Sequence, residues 1–196
     1  MVGGIVMNNA SGMNCGTHAN SDKELLSAKI VLADGTRLNT GDPESRMTFE
    51  RKHTPFLNKI IEIRDEIRND NELSDRIRKK YSIKNVTGLN LLPFVIYDDP
   101  FDIIAHLMVG SEGTLAFLSE VTMKTEHDYP YSASAMLYFS DIKDACRAVV
   151  AMKPGPIFSA ELLDKKSLAS VNDTTGTGLT AVLTETKADT PEELQA

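Results

Sequence analysis

The sequence has little cysteine, no tryptophan and no long apolar run. Its 196 residues include two cysteines, Cys15 and Cys146, which is too few for a disulfide framework or for a zinc or iron–sulphur site. No segment stays apolar over the length that crosses a bilayer, and the first residues lack the basic and apolar regions of a secretory leader. We therefore expect a protein of the reducing cytoplasm, with a peripheral position on the inner membrane as the alternative.

Positive charge is also scarce, since 21 lysines and arginines stand against 28 acidic residues, for a net charge of −7. Nucleic-acid binding needs a basic footprint, so nucleic acid is excluded as a main partner. The one basic run, at 76–80, is typical of a solvated helix face; a contact for an acidic partner or a cofactor phosphate is the alternative. The sequence contains neither a P-loop nor a Rossmann glycine fingerprint.

The four histidines are scattered and do not have the spacing of metal ligands, so no metal site is predicted. His106 lies among apolar residues, where a histidine is more often a hydrogen-bonded core residue than a catalyst. We therefore expect His106 to be part of the core.

Local patterns predict an α+β fold in two parts. In the first part, Asp34-Gly35 predicts a hairpin turn, Thr54-Pro55 predicts the start of a helix within a charged helical region, and 114–118 and 121–125 read as two strands. A domain boundary is expected near 127, and the following residues predict a β-α-β-α-β order. Cys146 falls on the apolar face of the first helix there and is expected to be buried.

Two glycine-containing stretches do not fit a plain secondary-structure pattern. Residues 2–17 place four glycines among amide and small side chains, as expected of backbone that offers N–H groups to a ligand. The corner Gly110-Ser111-Glu112-Gly113 has two glycines around a carboxylate, which suggests that its backbone passes very close to another group. The alternatives are an unstructured N-terminal tail and an ordinary turn.

Together these stretches resemble a known family. Gly3-Gly4-Ile5, Asn9-Ala10-Ser11-Gly12 and Cys15-Gly16-Thr17 resemble the glycine-rich loop of the vanillyl-alcohol-oxidase/PCMH-type FAD-binding domain, and 29–36 resembles the strand and turn that follow it. Residues 110–115 resemble the second flavin-binding signature of the D-lactate dehydrogenase, glycolate oxidase and D-2-hydroxyglutarate dehydrogenase group. Residues 161–164 resemble the early cap domain, and the charged helices resemble bacterial members that are fused to an iron–sulphur half.

The resemblance implies an FAD-linked enzyme that transfers hydride from the α-carbon of a D-2-hydroxy acid, D-lactate or D-2-hydroxyglutarate, to FAD. Residues 1–127 would be the second subdomain of the FAD-binding domain, with a helical insertion at about 45–84, and 128–196 the start of a ferredoxin-like substrate (cap) domain. The electron acceptor would be an iron–sulphur half of the same protein. The residues expected to contact FAD are Gly3, Gly4, Asn9, Ser11, Gly12, Gly110, Ser111, Glu112 and Gly113.

Several features depart from the family pattern. Its first pyrophosphate loop would precede residue 1, and its histidine-bearing cap segments would follow Ala196, so we expect a piece of a longer protein that is inactive alone and assign no catalytic residue to it. Gly88-Leu89 stands where the family often has Gly-Tyr. Two other functions remain open: a non-enzymatic α+β nucleotide-binding module, and an FAD-dependent alcohol or sugar oxidase on the same scaffold.

Overall fold

The computed structural model describes residues 1–12, 15–16, 19–85, 88–152, 155–171 and 178–195. They form two compact units, the first made of Met1–Ser11 and Thr17–Glu126 and the second of Gly12–Gly16 and His127–Ala196. Each unit contains helices and a three-stranded antiparallel sheet, so the predicted α+β class is confirmed. Within these described ranges, no helix combines the length and the apolar character needed to cross a membrane.

The first unit surrounds a sheet with strand order β2-β1-β3. Its buried apolar residues come from this sheet and from the helices around it, and form one core cluster. In chain order its elements are α1 (Val2–Met7), α2 (Ser21–Glu24), β1 (Leu25–Val31), β2 (Arg37–Asn39), α3 (Pro43–Asn69), α4 (Asn71–Lys80), α5 (Leu92–Ile96), α6 (Pro100–Leu107) and β3 (Phe117–Met123).

The predicted hairpin is confirmed. Gly35 adopts a φ of +84° in the turn, and the N–H of Thr36 donates to Oδ1 of Asp34 at 2.8 Å. Ile30 of β1 pairs with Leu38 of β2 on one side and with Leu118 of β3 on the other. These three side chains are 1%, 2% and 7% exposed, so one row across the sheet supplies the centre of the core.

The predicted helix start at Thr54-Pro55 coincides with a kink in α3, and a second helical segment begins there. α3 begins earlier, at Pro43, where the side chain of Asp42 accepts a hydrogen bond from the N–H of Glu44 at 3.2 Å. Pro55 lies inside this helix, and the preceding His53 has non-helical dihedrals of −128° and 28°. Proline removes a backbone donor and crowds the preceding turn, so two helical segments meet at a kink here, the second beginning at the predicted position.

The strand predictions after the glycine corner are also partly wrong. A single strand, β3, replaces the two predicted at 114–118 and 121–125, and it begins only at Phe117. The N–H and the hydroxyl of Thr114 both donate to the carbonyl of Ser111, at 2.9 and 2.6 Å. Because these bonds prolong the turn, Thr114 cannot enter the sheet.

The second unit follows the predicted β-α-β-α-β order. β4 and β5 both run antiparallel to the central strand β6, so they are parallel to each other and joined through α7 in a split β-α-β arrangement. Its elements are β4 (Tyr131–Phe139), α7 (Ile142–Met152), β5 (Ser159–Leu163), α8 (Lys165–Ser170), β6 (Thr180–Ala188) and α9 (Pro191–Gln195).

The expected burial of Cys146 is wrong, because this thiol is exposed. The adjacent Ala145 is the fully buried residue of α7, at 0% exposure, while Val150 is 72% exposed. The buried stripe of α7 is therefore narrower than the apolar stripe of its sequence.

Candidate functional site

The glycine-containing N-terminal stretch begins as a helix, which corrects the expectation of an open glycine loop from Gly3 onward. α1 is anchored by Val6 and Met7, which are 2% and 8% exposed. A Cβ on Gly3 would lie 3.1 Å from the carbonyl oxygen of Leu118, so this glycine allows α1 to pack closely on β3. Gly4 is exposed, and a Cβ there would meet nothing within 4 Å, but its N–H donates to the carbonyl of Met1 and its carbonyl accepts from the N–H of Asn8.

Three of the four residues in the corner at 110–113 have backbone dihedrals in the left-handed region. The φ angles of Gly110, Glu112 and Gly113 are +83°, +52° and +77°. Ser111 is 2% exposed, and its hydroxyl donates to the carbonyl of Met108 at 2.8 Å, which holds the corner against the end of α6. Glycine is required at 110 for a second reason, since a Cβ there would lie 2.6 Å from the carbonyl oxygen of Gly88.

The end of α1 and this corner are in direct contact. The N–H of Glu112 donates to the carbonyl of Met7 at 3.1 Å, and Nδ2 of Asn8 donates to Oε1 of Glu112 at 2.7 Å. A Cβ on Gly113 would lie 3.9 Å from Sδ of Met7. The fold thus joins two stretches that are about a hundred residues apart in sequence.

Asn9 anchors the turn that follows α1. It is 6% exposed and, like Glu112, adopts a φ of +52°. Its Nδ2 donates to the carbonyl of Asn85 at 3.2 Å, and its Oδ1 accepts from the N–H of Asp22 at 3.2 Å. The side chain therefore ties the turn after α1 to the loop that contains Gly88 and to the start of α2.

The structure thus brings the predicted residues Gly3, Gly4 and Asn9 into one region with the four residues of the corner. Ser11 follows in the same unit, and its Oγ is buried without a hydrogen-bond partner among the described residues. Gly12 belongs to the second unit, and its role in a site remains a prediction.

Sequence reasoning did not select Asn8, Asn85 or Gly88 as site residues. Asn8 donates a hydrogen bond to Glu112, Asn85 accepts one from Asn9, and the carbonyl of Gly88 lies close to Gly110. The available signals were the paired asparagines after α1 and the polar, glycine-containing loop at 84–90, but neither signal identifies its distant partner.

His106 is a core residue, as predicted. It is 5% exposed, and its Nδ1 and Nε2 lie 2.8 and 3.1 Å from the carbonyl oxygens of Asp102 and Leu25. Its ring stacks on Tyr97 with 4.2 Å between centroids. Burial, followed by the charges of Asp22 and Asp102, raises the pKa of the Tyr97 hydroxyl, which therefore stays protonated at neutral pH.

The polar groups of this region are suited to forming hydrogen bonds with a ligand. It contains side-chain amides, serine hydroxyls and one carboxylate, Glu112, whereas the nine predicted residues include no cation. Such groups fit the hydroxyl, carbonyl and ring N–H groups of FAD, but they cannot by themselves neutralise its pyrophosphate. In the part of the chain that the structure describes, no group of three or more potential ligand side chains is arranged to hold a metal ion.

Comparison with known proteins gives a partial similarity. The chain is 32% identical over 79 residues to the mitochondrial D-lactate dehydrogenase (cytochrome) of Arabidopsis thaliana. The similarity covers 39% of this chain and 14% of the length of that protein. No family model matches the sequence. Part of this chain is therefore similar to an oxidoreductase.

Proposed function

We propose that this chain supplies one wall of the FAD site in a flavoprotein dehydrogenase that oxidises a D-2-hydroxy acid. The observation that carries the proposal is the contact between the end of α1 and the corner at 110–113, because both stretches were expected from sequence to approach FAD. The partial similarity to a D-lactate dehydrogenase supports the same reading. Residues 1–127 are assigned on this proposal to the FAD-binding domain and 128–196 to the start of the cap domain.

Backbone strain supports a binding role for this contact. Asn9 and Glu112 are the described non-glycine residues with positive φ, and both lie here. A side chain in the left-handed region costs roughly 1–2 kcal/mol, and such strain concentrates at ligand sites. At Asn9 the two hydrogen bonds of the amide offset this strain, whereas Glu112 is exposed and bonds Asn8 through one carboxylate oxygen, which leaves the other for a ligand.

Each residue of the wall has a distinct task in this proposal. Asn8 holds the carboxylate of Glu112, which accepts a hydrogen bond from a hydroxyl or ring N–H of the cofactor. Gly4 is exposed and has no side chain, which lets the cofactor approach α1 closely there. FAD, when bound, supplies the hydride-accepting chemistry. The residues named here bind and orient it.

The substrate and the electron acceptor rest on the resemblance. We propose D-lactate or D-2-hydroxyglutarate as the substrate and an iron–sulphur half of the same protein as the acceptor, in a cytoplasmic setting. An FAD-dependent alcohol or sugar oxidase would share the wall but oxidise a different substrate.

The test uses the full product of the gene. We expect a flavin absorption spectrum, together with dye reduction by D-lactate or D-2-hydroxyglutarate but not by L-lactate, simple alcohols or sugars. The 196-residue chain should retain little FAD, because each missing charge-assisted phosphate contact removes about 1.5–3 kcal/mol of binding. A colourless, dye-inactive full product would refute the proposed function. Stoichiometric FAD on the 196-residue chain would refute the claim that it forms a single wall.

A further inference from the structure

We propose that the end of α4 and the loop that follows it form a docking surface for an acidic polypeptide segment of a partner protein. Residues 71–84 contain five cations and two acids, in a chain whose net charge is −7. Positive charge is therefore concentrated on one short element of an otherwise acidic chain. The cations are Arg76, Arg78, Lys79, Lys80 and Lys84, and the acids are Glu72 and Asp75.

Three of these cations share one side of α4. Arg76, Lys79 and Lys80 are exposed, and residues three and four positions apart are neighbours on a helix surface. Within the described part of the chain, none of the three takes part in an ion pair, and neither do Glu72 and Asp75 one turn earlier. These three cations are the basic face of α4.

The packing of α4 does not use the basic face. Ile77 supplies the buried contact of this helix, at 5% exposure, and Nη2 of Arg78 donates to the carbonyl of Val95 at 3.4 Å, which fastens α4 to α5. Cations in the last turn of a helix interact favourably with its dipole, but this interaction leaves their charged groups in solvent. The basic face therefore remains accessible to carboxylates of another chain.

Exposed aliphatic side chains adjoin the basic face. Ile83 and Leu89 are 68% and 52% exposed. The hydroxyl of Tyr81 donates to the carbonyl of Leu89 at 3.1 Å, and Nζ of Lys80 lies 5.5 Å from the centroid of the Tyr81 ring. Tyr81 thus connects Leu89 to the end of α4. An apolar centre beside charged residues is the usual composition of a protein–protein interface.

Charge determines which partner fits this surface. Covering cations without a counter-charge is costly, so a partner that buries the basic face has to bring acidic groups. An anionic membrane is the less suitable source, because recognition of anionic lipids relies on clusters of about four to eight lysines and arginines, and a bilayer would also repel the rest of an acidic chain. An acidic segment contacts the basic face alone, while an apolar side chain of the segment packs on Ile83 and Leu89.

Fluorescence anisotropy of the 196-residue chain with a labelled peptide, made of glutamates around a central leucine pair, tests the charge complementarity. We expect binding that weakens with salt and an affinity about five- to thirtyfold lower in K79Q/K80Q, the effect of losing two exposed ion pairs. The matched control K165Q/K166Q removes the same charge from adjacent exposed lysines of α8 and should bind normally. Circular dichroism checks both folds. Absence of peptide binding, or equal affinities of the two variants, would overturn the proposal.

Two further measurements test the apolar centre and the class of partner. I83S should bind the same peptide at least about fivefold more weakly, whereas I142S, which changes an exposed isoleucine of α7, should not weaken it. Equal affinities of these two variants would refute the surface as defined. In sedimentation with phosphatidylglycerol vesicles we expect no binding. Vesicle binding that K79Q/K80Q abolishes would instead assign the basic face to a membrane and overturn the polypeptide partner.

Discussion

Replacing Gly110 by alanine tests whether the corner is fixed by its contact with Gly88. The φ of +83° alone should cost roughly 1–2 kcal/mol. The added Cβ would also lie 2.6 Å from the carbonyl oxygen of Gly88, and relieving such overpacking costs about 1–3 kcal/mol more. G110A should therefore lower the free energy of unfolding of the first unit by about 2–5 kcal/mol.

Gly35 provides the matched control. Its φ of +84° is nearly the same, but a Cβ there would meet nothing within 4 Å, so G35A should show only the backbone cost. Urea denaturation followed by circular dichroism gives both values, and hydrogen exchange of first-unit peptides assigns the transition. Equal losses of stability in the two variants would refute the reasoning, because they would mean that the corner moves away from Gly88 without cost.

Three further predictions concern the surroundings of the corner. H106L should lower the free energy of unfolding by about 1–3 kcal/mol in urea denaturation, because one of the two buried carbonyls, of Asp102 or Leu25, loses the imidazole N–H that bonds it; unchanged stability would contradict this. N9A should be less stable than N9G by about 1 kcal/mol, since both variants lose the amide contacts but alanine, unlike glycine, is strained at the positive φ of this position. Thermal unfolding that ranks them in the opposite order would argue against strain at Asn9. Arg68 donates a hydrogen bond to Asp98 and holds the pKa of that carboxyl below its usual value. The stabilising effect of this ion pair is therefore complete above the usual pKa of an aspartate and is lost as pH falls through the lowered pKa of Asp98. D98N should for that reason flatten the decline in stability below about pH 4. An unchanged acid profile would contradict this assignment.

The sequence predicts those features that are encoded locally. Asp34-Gly35 specifies its turn because the dipeptide itself favours positive φ at Gly35 and a bond from the N–H of Thr36 to the side chain of Asp34. Thr54-Pro55 likewise marks a local event, the kink at which the second helical segment of α3 begins. The earlier segment, which begins at Pro43, was predicted only as part of a charged helical region.

The candidate site could not be derived from local patterns. The contact between Asn8 and Glu112 joins residues 104 positions apart, and no spacing within either stretch indicates the other. Resemblance to a family suggested that both stretches approach one cofactor, but it did not reveal that the first begins as a helix packed on β3 through Gly3. Cys146 shows the same limitation, because an apolar stripe predicts which side of a helix faces the core but not how wide the buried strip is.

Hydrogen exchange of the full gene product, with and without FAD, tests the central claim most directly. We predict that FAD slows exchange in peptides that cover 3–12 and 108–114, because both stretches form the wall against the cofactor. Peptides that cover the turn at Asp34 and Gly35 should be unchanged and serve as the internal control. FAD binding that leaves both 3–12 and 108–114 unprotected would contradict the account.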